Sequence, residues 1–105
     1  TDLPGQIHDK GIYFMERLEK LKEKYSILVD VRGKGFLIGL EYKTQEIGWA
    51  VSKGLFKRGI MTGGTLNNAK VNRIEPPGII AYDTIDIILE RLDETLLEVS
   101  NAFKE

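Results

Sequence analysis

The spacing of apolar residues along this chain changes period, from a helical stripe to strict alternation and back, and that switching limits the folds open to it. From about residue 6 to residue 25, Ile7, Gly11, Met15 (with Phe14 beside it), Leu18 and Leu21 share one helical stripe, while Glu16, Glu19, Lys20 and Glu23 cover the other side. Pro4 stands near the start, where a proline costs a helix nothing. Ile27, Val29 and Val31 then alternate, as do Phe36, Ile38, Leu40 and Tyr42, so two strands are expected, joined by a tight turn at Gly33-Lys34-Gly35.

A second helix is predicted over Gln45–Lys57, with Ile47, Ala50, Val51, Gly54 and Leu55 inward and Gly59 as its stop signal. Ile60-Met61-Thr62 opens a short strand that loosens at Gly63-Gly64, and Asn67-Asn68 is the expected turn into a strand over residues 71–75. Asp83 is placed to cap a final helix striped by Ile85, Ile88, Leu92, Leu96, Val99 and Phe103. The expected order is helix, strand, strand, helix, strand, strand, helix. Such a chain builds an α+β fold, a small antiparallel or mixed sheet with helices on one face. The other face must meet solvent or another domain.

At 105 residues the chain is one domain. Its 15 basic residues nearly balance 16 acidic ones, which argues against nucleic-acid and membrane-surface roles, since both usually leave a basic excess. No apolar run approaches membrane-spanning length, and the first residues do not read as a secretory signal. Without cysteine there is no thiolate nucleophile or disulfide, which fits a cytoplasmic setting. The chain begins at Thr1, which fits a segment cut from a longer polypeptide and fits processing equally.

Gly33-Lys34-Gly35 with Gly39 superficially resembles a dinucleotide fingerprint, but the third glycine is one residue late and a strand follows instead of a helix. Hairpin glycines with positive φ account for it better. His8 has no acid or nucleophile placed to work with it, and one histidine excludes a histidine-cluster metal site. Phe14, Phe36, Trp49, Phe56 and Phe103 occupy core-compatible positions, so packing explains them better than base stacking. Gly63-Gly64 fits a bulge, a close approach of backbone to a ligand, or a plain loop equally well. No catalytic set and no metal-binding set assembles.

Arg73, inside "TLNNAKVNRIEPPG" (residues 65–78), is the sharpest candidate. If Ile74 points into the core, Val71, Arg73 and Glu75 share the opposite face. A guanidinium there offers a planar fork suited to a carboxylate or phosphate, and Pro76-Pro77 stiffens the backbone beyond it. A surface ion pair between Arg73 and a nearby acid explains it equally well.

The blocks "VDVRGKGFLIGLEY" (residues 29–42) and "RGIMTGGTLNNAKVNRIEPP" (residues 58–77), followed by a long final helix, resemble the C-terminal part of class III aminotransferases, fold-type I enzymes that use pyridoxal 5′-phosphate. The wording "GGTLNNAK" and "RIEPP" is similar to the putrescine and acetylornithine aminotransferase-like branch. The resemblance covers essentially the whole chain. It implies that residues 1–105 are a C-terminal small domain that closes over the active site of a transaminase. Such an enzyme moves an amino group from an amine or amino acid to a 2-oxo acid.

By the same resemblance, Arg73 matches the position that meets a substrate carboxylate, and the helix-free sheet face docks on the large domain of the same polypeptide. The resemblance places the cofactor lysine, the acid that pairs with the pyridine nitrogen and most phosphate ligands in that large domain, and neither Lys34 nor Lys70 sits in the family's lysine context. No pyridoxal phosphate is expected on this chain alone, which is expected to be inactive by itself. A homodimeric, cytoplasmic parent is implied, with no nucleic-acid or membrane partner. Two other readings stand beside this one: a free-standing anion-binding or regulatory module using Arg73 and Gly63-Gly64, and a dimerisation domain.

Overall fold

The computed structural model of the chain describes residues 3–34, 37–60, 62–65, 68–74 and 81–103. Helix α1 (Leu3–Lys24) leads into strands β1 (Leu28–Lys34) and β2 (Leu37–Tyr42). Helix α2 (Gln45–Lys57), strands β3 (Gly63–Thr65) and β4 (Asn68–Ile74) and helix α3 (Tyr82–Ala102) follow. Element order and α+β class agree with the sequence expectation. The four strands form one antiparallel sheet in the order β1-β2-β4-β3.

Helices α1 and α2 lie on the sheet, and α3 packs against both of them. The core joins Phe14, Leu18 and Leu21 of α1 to Leu28, Val31, Ile38, Leu40 and Tyr42 of the sheet, with Val51 and Leu55 of α2 and Leu92 and Leu96 of α3. Gly54 lets α2 and α3 meet closely, because a Cβ there would stand 2.7 Å from Thr95 Cγ2. Among the described residues no helix is long and apolar enough to cross a membrane.

The ends of α2 show how local chemistry sets the frame. Thr44 Oγ1 accepts a hydrogen bond from the Ile47 N–H at 3.2 Å, satisfying one of the helix's orphan donors. At the other end Gly59 takes φ +87°, and the N–H groups of Gly59 and Ile60 donate to the carbonyls of Phe56 and Leu55. That is the two-bond cap a left-handed glycine makes possible, and it is the stop expected from the sequence.

Several expectations need correction. Val29 does not join Ile27 and Val31 in the core but is 40% exposed. The β1–β2 register slips between Leu28 and Asp30, so one extra residue bulges and the alternation restarts at Asp30. Gly33 belongs to β1 opposite Ile38 and has no positive φ; its lack of a side chain admits Met15. Gly35 and Phe36 lie outside the described residues.

Trp49 and Phe56 are 59% and 69% exposed, against the expectation of packing. They lie about 200° round the helix from the buried Ile47 and Gly54 respectively, on the outward surface of α2. Phe103 is also exposed, just past the end of α3. Ala81, not Asp83, occupies the N-cap of α3, which lacks a side-chain cap bond; Asp83 sits in the first turn, where its charge still suits the helix dipole. The third strand starts at Gly63, later than Ile60, and its pairing with β4 shifts register between Gly63 and Thr65. Asn67 lies outside the described residues, and Asn68 already belongs to β4.

Candidate functional site

Residues directly opposite one another in an antiparallel pair share a face of the sheet. Arg32 pairs with Gly39, Gly39 with Arg73, and Arg73 with Gly63. A single transverse row therefore runs Arg32, Gly39, Arg73, Gly63 across all four strands. The adjacent positions Val31, Ile38 and Leu40 are buried beneath the helices, so this row lies on the helix-free face. Arg73 is exposed there, and Val71, two residues before it, is partly buried. Glu75, the third residue expected on this face, lies outside the described residues, as do Pro76 and Pro77.

The two arginines of the row differ in what holds them. Arg32 Nε donates to Asp30 Oδ2 at 2.7 Å, and its Nη2 donates to Glu41 Oε1. The hydrogen bond from Arg32 keeps the Asp30 carboxyl below its usual range, and Asp30 with Glu41 raises the guanidinium further above its own. Asp30 and Glu41 stand directly opposite each other in register, where like charges repel, and Arg32 bridges both. Arg73 forms no side-chain hydrogen bond or ion pair with another described residue. Its lateral neighbours, Gly39 and Gly63, have no side chains to crowd it.

The glycine at position 39 is not demanded by the chain itself. A Cβ built there would meet nothing nearer than the Arg32 carbonyl oxygen at 3.9 Å, an ordinary contact, and its φ is not positive. Asp30, Arg32 and Glu41 were not singled out from the sequence. The signal was present in the i, i+2 spacing of Asp30 and Arg32 and in the short hairpin that brings Glu41 back beside them. What the sequence did not show is the partner across the hairpin, because the bulge at Val29 shifts the register by one and sets Glu41 opposite Asp30.

A separate cleft of about 620 Å³ opens where the C-terminal ends of α1 and α3 meet the N-terminal end of α2. Three of its polar side chains, those of Lys24, Tyr25 and Thr44, are committed to partners. Lys24 Nζ lies 3.1 Å from Asp93 Oδ1, the Tyr25 hydroxyl donates to the same carboxylate, and Thr44 caps α2. Burial acts to raise the Asp93 carboxyl, but the Tyr25 bond and the Lys24 ammonium outweigh it and the group titrates below its usual range. His8 is exposed on α1, and among the described residues no group of three or more histidines, aspartates or glutamates could hold a metal ion.

The chain matches the model of the family described as aminotransferase class-III over residues 1–96. It belongs to the class III aminotransferases. It is 33% identical, over 99% of its length, to a putrescine aminotransferase from Pectobacterium atrosepticum, of which it spans 22%. Among solved structures it is similar to an acetylornithine aminotransferase from Elizabethkingia anophelis, with 26% identity, a TM-score of 0.83, and coverage of 91% of this chain and 25% of that one. An ornithine aminotransferase from Toxoplasma gondii ME49 shares the fold, with 22% identity, a TM-score of 0.83, and coverage of 95% and 24%. The chain thus spans about a quarter or less of the length of these aminotransferases.

The family uses pyridoxal phosphate, which needs a lysine for its aldehyde, an acid at its pyridine nitrogen and donors around its phosphate. The described residues do not bring such a set together. The cleft is lined by Lys24 and Lys43, and the Lys24 ammonium is paired with Asp93.

Proposed function

We propose that this chain is the C-terminal small domain of a pyridoxal-phosphate-dependent transaminase, closing over an active site whose cofactor is held by the large domain of the same polypeptide. In that reading Arg73 receives the carboxylate of an amino-acid or 2-oxo-acid substrate. The observation that carries it is the contrast within one row of the sheet. Arg32 is neutralised by Asp30 and Glu41, whereas Arg73 is exposed between two glycines with no described partner.

A guanidinium in that position presents two parallel donors to a carboxylate, and the neighbouring glycines leave room for the substrate's chain. The row lies on the face that the helices leave bare, so the large domain docks there and encloses the charge. Enclosure raises the strength of the ion pair by lowering the local dielectric. The parent is proposed as a cytoplasmic homodimer acting on small amines, amino acids and 2-oxo acids.

Arg73→Ala in the intact enzyme tests the assignment. The expected loss is about 2 kcal/mol of carboxylate binding, read as a roughly thirtyfold rise in KM for the carboxylate-bearing substrate. Cofactor content, measured by absorbance, should stay the same. Unchanged kinetics with every such substrate would remove Arg73 from the site.

A further inference from the structure

The register leaves Glu41 with two arginines to choose between. Gly39 pairs with Arg32 on one side and with Arg73 on the other, and Glu41 follows Gly39 by two residues on the same face. Glu41 is therefore the diagonal neighbour of both guanidinium-bearing residues, at a separation of roughly 7 Å between backbones that long side chains span readily. It bonds to Arg32.

We propose that Arg32 is a positioning residue for substrate recognition: it holds Glu41 away from Arg73 and so keeps the carboxylate-binding guanidinium free. This rests on the reading of Arg73 given above. Asp30 takes part from the other side. It lies opposite Glu41 and repels it, but it also anchors the Arg32 side chain through Nε at 2.7 Å, which aims Nη2 at Glu41. Arg32 thereby satisfies two carboxylates that would otherwise repel each other.

Remove the Arg32 charge, and Glu41 is left facing Asp30 on one side and Arg73 on the other. Both forces then drive it in the same direction, toward Arg73. A tethered carboxylate on Arg73 competes with a substrate carboxylate for the same donors, at a local concentration a free ligand cannot match. Loss of the device therefore disfavours only substrates that carry the carboxylate. An amine whose corresponding end carries no carboxylate does not need Arg73 and is indifferent to where Glu41 goes.

The test is a set of variants in the whole aminotransferase that contains this chain, assayed with one substrate bearing the carboxylate and one amine lacking it. Arg32→Met should raise KM for the carboxylate substrate about three- to tenfold and leave KM for the amine within twofold. Adding Glu41→Gln to Arg32→Met should restore the carboxylate KM, because the competitor has lost its charge. Arg32→Lys should retain most of the wild-type KM by keeping a cation beside Glu41. Arg32→Gln serves as the uncoupling variant should Arg32→Met fail to fold.

A KM rise that persists in the double variant, or that is equal for both substrates, would show a purely structural ion pair and overturn the proposal. No rise in Arg32→Met, while Arg73→Ala still raises KM, would also overturn it and leave the Arg73 assignment intact. An unaltered KM in Arg73→Ala would remove the assignment itself, and the proposal with it.

Discussion

Gly33 and Gly39 stand on adjacent strands, one facing the helices and the other the bare side of the sheet. A Cβ at Gly33 would lie 2.6 Å from Met15 Sδ and 2.9 Å from Ile38 Cδ1, so a side chain there would have to displace the ends of both. At Gly39 the nearest atom would be 3.9 Å away. On the covered side a missing side chain answers to packing inside the chain. On the bare side it does not, and a glycine in a strand costs stability for want of contacts and of backbone restraint. The two glycines thus stand under different demands: one meets side chains of this chain, and the other meets none nearer than an ordinary contact.

The largest expected effect separates the faces on a single strand. Leu40 is fully buried toward the helices, and its neighbour Glu41 points the other way. Leu40→Ala should cost about 3 kcal/mol in a urea unfolding experiment on this chain, whereas Glu41→Ala removes a surface ion pair and should cost about 1 kcal/mol or less. Equal losses would mean that the bare face contributes to the fold as the covered one does, and the comparison would fail.

A smaller effect probes how tightly the helical layer is closed. Gly54→Ala would ordinarily stabilise a helix by about 1 kcal/mol. Here the new methyl would meet Thr95 Cγ2 at 2.7 Å, and Thr95 is fully buried with its hydroxyl donating to the Arg91 carbonyl at 2.7 Å. Turning the side chain away sacrifices that bond. Overpacking of this kind costs roughly 1–3 kcal/mol, so a net destabilisation of about 1 kcal/mol is expected. Thr95→Ser deletes Cγ2 and keeps the hydroxyl, and adding it should recover the loss in the unfolding midpoint. Recovery would place the cost at this contact; its absence would mean that the glycine serves α2 in another way.

The helical layer was readable because its signals are local. The bounds of α2 follow from a capping threonine, a run of apolar positions and a glycine stop, all within 16 residues of sequence from Thr44 to Gly59. Arg73 was legible for a related reason: a guanidinium inside a β-prone stretch is conspicuous without knowing its neighbours. The row around it was not. Which residues flank Arg73 depends on strand order and register, and β4 inserts between β2 and β3 through pairings that no short window contains. A bulge at Val29 then shifted the β1–β2 register, so that Glu41 rather than Leu40 stands opposite Asp30. The exposed Trp49 and Phe56 were missed because an aromatic residue within an amphipathic helix invites a core reading, although their angular position on α2 already set them opposite Ile47 and Gly54.

The smallest expected effect on stability is at Gly39, and it is the most informative about the bare face. Gly39→Ala introduces a methyl into open space, so the unfolding free energy of this chain should change by less than about 0.5 kcal/mol, with a tilt toward stabilisation from the restricted unfolded state. In the intact enzyme the same methyl stands beside Arg73, where the proposed substrate carboxylate and its carbon chain must lie. KM for the carboxylate-bearing substrate should rise while stability does not fall. A loss of more than about 1 kcal/mol in the isolated chain would mean that the backbone at position 39 is constrained from within, and that its glycine says nothing about a ligand. An unchanged KM with unchanged stability would move the demand for glycine from the substrate to the docking of the large domain. That alternative can be separated by whether Gly39→Val, with its greater bulk, weakens domain closure for all substrates equally.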